Sequence, residues 1–158
     1  MDSEARYSIE LKFPGDIDYI PAVRKFVAEM LQAANFSPKF AYRSEIVVDE
    51  ICYNAITYGC QSVDAEVKVV FSIFDDRVEL VIKDPGKGDH RDRTRLQAAV
   101  EGKPLDVAHD DTGKKEKLGL EIVKMLSEEL VFEIDDNNLT SVRVVRRRDD
   151  SEVTPTGK

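Results

Sequence analysis

Two polar residues four positions apart mark the first place where this sequence could do chemistry. Glu50 and Asn54 fall within RSEIVVDEICYNAITYG, which has helical spacing, so both side chains lie on one face of the predicted helix. A carboxylate can act as a general base, and an amide oxygen can help to hold Mg²⁺. The same pair is also typical of a solvated helix face, so it does not decide the function by itself.

A second candidate is the sequence DPGKG, residues 84–88, which directly follows a strand-like segment. Alternation along that segment turns Asp84 inward, where a carboxylate needs a hydrogen-bond partner. Gly86 and Gly88 would let the backbone approach a ligand closely. The alternative interpretation is an ordinary Asp-Pro-Gly turn.

A third candidate is the start of LGLEIVKMLSEEL, where Gly119 follows the lysine-rich stretch GKKEK. A helix N-terminus offers unpaired N–H groups and the positive end of the helix dipole, which suits a phosphate. The lysines, Lys117 among them, would add positive charge. The alternative is a solvated loop whose lysines have no specific role.

The elements that must position these residues follow from apolar spacing. Alternation predicts strands, and three- and four-residue spacing predicts three helices. In chain order we predict strand 7–13, helix 17–34, helix 40–58, strands 67–73 and 78–82, helix 118–130, and strands 131–134 and 141–145. Strands and helices do not alternate strictly, so the fold class is α+β, with two layers, a mixed and mostly antiparallel sheet, and helices on one face.

Composition excludes several classes of protein. The chain has 158 residues, Lys+Arg 23 against Asp+Glu 31, and a net charge of −8, which argues against direct binding to nucleic acid. It has no long apolar run and no secretory signal, so we expect no membrane segment and a cytoplasmic location. Two cysteines and two histidines do not make a disulfide framework or a zinc cluster.

We expect one domain over residues 1–146, followed by a polar tail over 147–158. Residues 85–117 are a long polar insertion, typical of a functional or disordered loop. We interpret Arg146 and the two arginines after it as a solvated strand end.

Taken together, the three candidates resemble the GHKL (Bergerat-fold) ATP-binding superfamily. DEICYNA is similar to its N box, DPGKG to its D-x-G-x-G box, and LGLEIVKML to its glycine box. The resemblance runs from the first strand to the closing hairpin, and it is nearest to the stand-alone bacterial anti-sigma factor serine/threonine-protein kinases. It implies a two-layer α/β sandwich with an ATP lid at about residues 89–117.

The resemblance also implies a role for each matching residue. Asp84 would bind the adenine amino group, with Gly86 and Gly88 close to the base. Asn54 would hold Mg²⁺ against the phosphates of ATP. Glu50 would take the proton from the substrate serine. The phosphate oxygens would be bound at the start of the glycine-box helix, at Lys117, Gly119 and Leu120.

The implied partners are a sigma factor, which the protein sequesters, and an anti-anti-sigma (STAS-type) protein, which it phosphorylates. The resemblance also implies a homodimer, which no sequence feature shows. Lys117 departs from the family, because it stands where the first glycine of the glycine box is expected. The alternative function is therefore a nucleotide-gated, non-catalytic binding module. The catalytic domain of a histidine kinase is disfavoured, because no helix with a phosphoacceptor histidine precedes the domain.

Overall fold

The described residues form five strands and three helices. The computed structural model describes residues 4–86, 119–135, 137 and 139–148. In chain order the elements are β1 (Tyr7–Pro14), a 3₁₀ turn (Ile17–Tyr19), α1 (Ile20–Ala33), α2 (Pro38–Gly59), β2 (Glu66–Ile73), β3 (Arg77–Asp84), α3 (119–125), β4 (Glu129–Ile134) and β5 (Thr140–Arg147). None of the helices within the described residues is long and apolar enough to cross a membrane.

The strands form one sheet in the order β1-β2-β3-β5-β4, and all four pairings are antiparallel. The predicted α+β class is confirmed. The sheet was expected to be mixed and mostly antiparallel, and its described pairings are all antiparallel. The chain leaves β3 and returns through α3 and β4 before β5 pairs with β3. This crossover makes Asp84 at the end of β3 the register partner of Thr140 at the start of β5.

Local sequence explains where α2 begins and ends. Ser37 is the N-cap, and its hydroxyl accepts a hydrogen bond of 3.0 Å from the Phe40 amide, while Pro38 occupies the first turn, where its missing N–H costs little. The helix therefore begins two residues before the predicted position. It ends at Gly59, where extended backbone follows at Cys60.

The core lies between the helices and one face of the sheet. α1 and α2 pack side by side over apolar residues that alternate along β2 and β3. The largest fully buried side chains come from both layers: Phe36, Phe40, Phe71, Leu31, Ile51, Ile73, Leu80, Ile82, Leu120, Val27 and Val47. Helix α2 thus presents Asn54 to the interior, on the face that packs against β3.

The interpretation of Arg146 as a solvated strand end was wrong. Its position in β5 turns the side chain toward the helices, and only 4% of the residue is exposed. The guanidinium donates to the carbonyl oxygens of Leu126 and Phe40 and to the Ser44 hydroxyl, and it lies 4.1 Å above the Phe40 ring. Arg146 therefore joins β5 to the end of α3 and to the start of α2.

Candidate functional site

A pocket lies between α2, α3 and the ends of the central strands. Its lining combines apolar and polar residues: Ile51, Asn54, Ala55, Asp84, Leu120, Phe132 and Val142. Three of the residues predicted from the sequence, Asn54, Asp84 and Leu120, are therefore brought together by different elements. The space that it encloses among the described residues is only about 10 Å³, room for one water molecule. The combination of apolar walls with a few convergent polar groups, rather than the size, is therefore what it shares with small-molecule sites.

Asp84 closes one end of this pocket as the last residue of β3, and it is 8% exposed. Its Oδ1 accepts a hydrogen bond of 2.8 Å from the Gly86 amide, which fixes the carboxylate at the strand end. Gly86 has φ 65°, a conformation that favours glycine. Asp84 therefore takes part in a turn with Gly86 and is also directed inward.

Gly59 has a role here that the sequence did not reveal. It reads as a helix stop, but a Cβ built at this position would overlap the Asp84 carboxylate. The end of α2 can therefore lie directly against Asp84 only because the side chain is absent. From the sequence, the only signal was a glycine one residue beyond the predicted helix.

Thr140 was also missed by the sequence analysis. It is 2% exposed, and its Oγ1 is buried without a hydrogen-bond partner among the residues that the structure describes. As the cross-strand partner of Asp84, it places an unsatisfied hydroxyl beside the carboxylate. A buried polar group left unpaired is costly, so a ligand atom is a natural partner for it. The sequence signal was weak, because threonine is common in strands.

Asn54 is buried rather than part of a solvated helix face, with 4% exposure. Its Nδ2 has no hydrogen-bond partner within the described parts of the chain. The amide thus holds an unsatisfied donor and, beside it, an oxygen able to bind a cation. A magnesium phosphate offers an acceptor oxygen and a cation together, so the chemistry of Asn54 fits that group.

Glu50 lies one turn before Asn54, half buried, at the start of α3. A Cβ built on Gly119 would overlap the Glu50 Oε2 atom, so the carboxylate reaches the backbone of the first described residue of that helix. The structure therefore brings the predicted base and the predicted glycine together. Gly88, Lys117 and the lid at about 89–117 lie outside the described residues.

Cys60 follows α2 and lies close enough to Asp84 for their charges to interact. Burial, and then the negative charge of Asp84, raises the pKa of the Cys60 thiol to about 11. Burial, and to a smaller extent Asp49, raises the pKa of Cys52 to about 12. Neither thiol is activated for nucleophilic chemistry, so Cys60 serves best as a reporter of the Asp84 charge.

Comparison with known proteins identifies a family and relatives that match most of the chain. The model of the histidine kinase-like ATPase domain family matches residues 13–146. The chain is 28% identical over 138 residues to the serine-protein kinase RsbW of Bacillus licheniformis, covering 85% of this chain and 83% of that protein. It is 25% identical over 142 residues to RsbW of Staphylococcus epidermidis, covering 88% and 87%.

A solved structure shares the fold. The SiaB–SiaC complex from Pseudomonas aeruginosa contains a chain that matches with a TM-score of 0.65 and 18% identity, over 87% of this chain and 88% of that one. At that identity the likeness supports the fold alone.

Proposed function

Because the chain belongs to the histidine kinase-like ATPase domain family, we propose that it is an ATP-dependent serine protein kinase and anti-sigma factor. The observation that carries the proposal is the convergence of Asn54, Asp84 and Leu120 on one pocket, with Glu50 placed at its neighbouring helix start. The names of the RsbW relatives support the kinase activity. The kinase domain spans residues 1–146, and the tail spans 147–158.

The adenine of ATP binds against the residues that line the pocket, which must widen to admit it. The Asp84 carboxylate accepts a hydrogen bond from its amino group, and the Thr140 hydroxyl provides a second polar contact from β5. Leu120 supplies part of the apolar wall. Gly86 and Gly88 keep side chains away from the base.

The phosphates and Mg²⁺ bind between α2 and the start of α3. Asn54 holds the cation through its amide oxygen, while Lys117 and the backbone amides at Gly119 and Leu120 hold phosphate oxygens. When bound, Mg²⁺ supplies positive charge that neutralises the phosphates. The chain's own contribution is to orient these groups and to exclude water with the apolar walls.

Glu50 acts as the general base. It accepts the proton of the acceptor serine hydroxyl as that oxygen approaches the γ-phosphate. Its position against Gly119 supports a role at the phosphate end of the site rather than at the adenine end. Glu50 is thus the catalytic residue, and Asp84, at the other end of the pocket, is a binding residue.

The proposed partners are a sigma factor, which the protein sequesters, and an anti-anti-sigma (STAS-type) protein, which it phosphorylates. We place the protein in the cytoplasm. Its net charge of −8 argues against direct contact with nucleic acid. A homodimer is part of the same proposal.

Calorimetric titration of the nucleotide-free protein with ATP, with and without Mg²⁺, tests nucleotide binding. We expect binding to weaken at least tenfold in Asp84→Asn, which lacks the charge, and in Gly59→Ala, whose new Cβ displaces Asp84. Asn54→Ala should lose the Mg²⁺ dependence. Thr57→Ala, exposed in the last turn of α2, is the control. Equal affinity in all variants would disprove the site.

Phosphoryl transfer is tested separately, with labelled ATP and the STAS-type proteins encoded in the same genome. Glu50→Gln should bind ATP normally and lose transfer. Lys117 motivates the alternative of a non-catalytic, nucleotide-gated module. That alternative predicts ATP-dependent binding of a STAS-type protein without label transfer, and no change in Glu50→Gln.

A further inference from the structure

Helix α3 runs antiparallel to the first half of α2. At one end Gly119 abuts the Glu50 carboxylate. At the other end Arg146 bonds both the carbonyl oxygen of Leu126 and that of Phe40. The outer surfaces of the two helices therefore lie side by side and extend from Glu50 to the start of α2.

Four large apolar side chains are exposed on these two helices. Tyr42 and Tyr53 are eleven residues apart on α2, close to three turns, so they share its outer face. Ile122 and Met125 are exposed on α3, and Met125 is 83% exposed against 65% for Tyr42. We call these four residues the α2–α3 ridge. Tyrosine and methionine are enriched at protein interfaces, although exposed apolar residues alone do not identify a partner.

A basic pocket adjoins the ridge at its Met125 end. This open cavity of about 240 Å³, the arginine pocket, is lined by Arg43, Met125, Leu126, Ser127, Glu128, Arg146 and Arg147. Its lining includes three arginines and one glutamate, in a chain whose net charge is −8. The Arg146 guanidinium is already bonded to Leu126, Phe40 and Ser44. Arg147 is also paired with Asp76 at 2.6 Å.

Ser127 adds a second polar feature to the arginine pocket. Its Oγ is buried and has no hydrogen-bond partner among the described residues. A carboxylate that enters the pocket would accept a hydrogen bond from this hydroxyl and face the guanidinium groups, an arrangement that favours a charge-assisted contact. The pocket is thus complementary to an acidic side chain, and the ridge beside it to an apolar one.

We propose that the α2–α3 ridge and the arginine pocket dock the protein that carries the acceptor serine. The occupant presents apolar side chains to the ridge and an aspartate or glutamate to the pocket. This inference rests on the proposed function, because Glu50 lies on the same strip of surface. Arg43 and Glu50 are seven residues apart on α2, about 10 Å along the helix axis. The acceptor serine and its acidic anchor are therefore separated by about 10 Å, which is about three residues of extended chain.

Peptide arrays test this docking without nucleotide. The probe is a set of 15-residue peptides with a central serine among leucines and alanines, in which one glutamate is moved through every other position. We expect labelled full-length protein to bind best, at least fivefold above the glutamine-containing peptide, when glutamate lies about three residues from serine. Met125→Ser should weaken binding to all leucine-containing peptides, because it removes an exposed ridge residue without disturbing the core.

Reversing the charge at Arg43 distinguishes a loss of glutamate recognition from a general loss of folding or binding. Arg43→Glu should lose the preference for glutamate and gain one for lysine at the same spacing. Lys39→Glu makes the same change of charge one turn earlier on α2, outside the pocket lining, and should keep the wild-type preference. Glu50→Gln should also bind the peptides normally. A glutamate preference that survives in Arg43→Glu, or no dependence on glutamate position, would overturn the proposal.

The chain's own acidic C-terminal segment is the competing occupant. If peptides bind only after Asp149→Asn and Asp150→Asn are introduced together, that segment fills the pocket and the proposal is wrong. The docking test and the kinase test fail independently. A position-dependent glutamate preference without phosphoryl transfer would reject the proposed kinase activity and support the docking surface. Phosphoryl transfer without any glutamate preference would support the kinase activity and reject the docking surface.

Discussion

Thr140 and Asn54 each bury a polar group without a hydrogen-bond partner in the described part of the chain. Such a group lowers the stability of the ligand-free protein, and it is retained where a ligand completes the bonding. Asn54 lines the pocket, and Thr140 is the cross-strand partner of Asp84, which also lines it. At the residue scale, the candidate site is therefore marked by two buried polar groups that have no hydrogen-bond partner among the described residues.

Thr140→Val should stabilise the ligand-free protein and weaken ATP binding. The substitution removes the unsatisfied hydroxyl and keeps the shape, so we expect the free energy of unfolding to rise by about 1 kcal/mol. The affinity for ATP should fall about tenfold, since the second polar contact is lost. Urea denaturation and calorimetry measure the two effects. Ser141→Val, on the opposite face of β5, should leave ATP affinity unchanged; an equal loss there would contradict the assignment.

Cys60 should report the charge of Asp84 through the pH dependence of its alkylation. With its pKa raised to about 11 by burial and by Asp84, the thiol reacts slowly at pH 8, and the rate of modification by iodoacetamide should rise about tenfold per pH unit below pH 11. Asp84→Asn removes the negative charge, so the pKa falls and the reaction at pH 9 becomes faster. Peptide mapping distinguishes Cys60 from Cys52.

Asp64→Asn, in the exposed loop after Cys60, is the control for this measurement. It should leave the rate unchanged, because Asp84 is the only carboxylate among the causes of the raised Cys60 pKa. A slower reaction in Asp84→Asn would show that the charge of Asp84 does not raise this pKa.

At the element scale, Arg146 is the side chain that holds α2, α3 and β5 together. Arg146→Met keeps an unbranched, flexible side chain but removes three hydrogen bonds, and it leaves the carbonyl oxygens of Leu126 and Phe40 buried without this donor. We expect a loss of about 3 kcal/mol in the free energy of unfolding, measured by urea denaturation. Arg147→Met, at an exposed position paired with Asp76, should cost less than about 1 kcal/mol.

The elements themselves were largely predictable, and their contacts were not. Apolar spacing located the strands and helices of the described residues, and the Ser37-Pro38 cap moved the start of α2 by only two residues. The prediction of a helix over 118–130 was too long, because the helix ends at residue 125 and β4 begins at Glu129. Resemblance to a family singled out Glu50, Asn54 and Asp84. Spacing contains no information about which strands become neighbours, so the pairing of Asp84 with Thr140 and the burial of Arg146 appeared only in three dimensions. The role of Gly59 could not be predicted from spacing either, because it depends on the absence of a side chain where the Asp84 carboxylate of β3 lies.

At the scale of the whole molecule, ATP should act as a folding ligand. The pocket joins α2, α3 and three strands, so it exists only in the folded protein, and ATP binds the folded state and not the unfolded one. At a free concentration one hundred times its dissociation constant, ATP with Mg²⁺ should stabilise the protein by about 2.7 kcal/mol. Thermal unfolding measures this shift. Asn54→Ala should show equal stabilisation with and without Mg²⁺; a preserved Mg²⁺ effect would place the cation elsewhere.

The anchoring of α3 by Arg146 bears on the order of acceptor binding and nucleotide exchange in the proposed kinase cycle. A helix that is held firmly at one end moves little at that end when its other end is displaced. Leu126, directly after α3, is the anchored end, and Gly119 is the end at the proposed phosphate site. Met125 next to the fixed end should thus keep its place in every nucleotide state. We therefore expect the acceptor to be captured with similar affinity before and after ATP is consumed, so that nucleotide exchange sets the pace of the cycle.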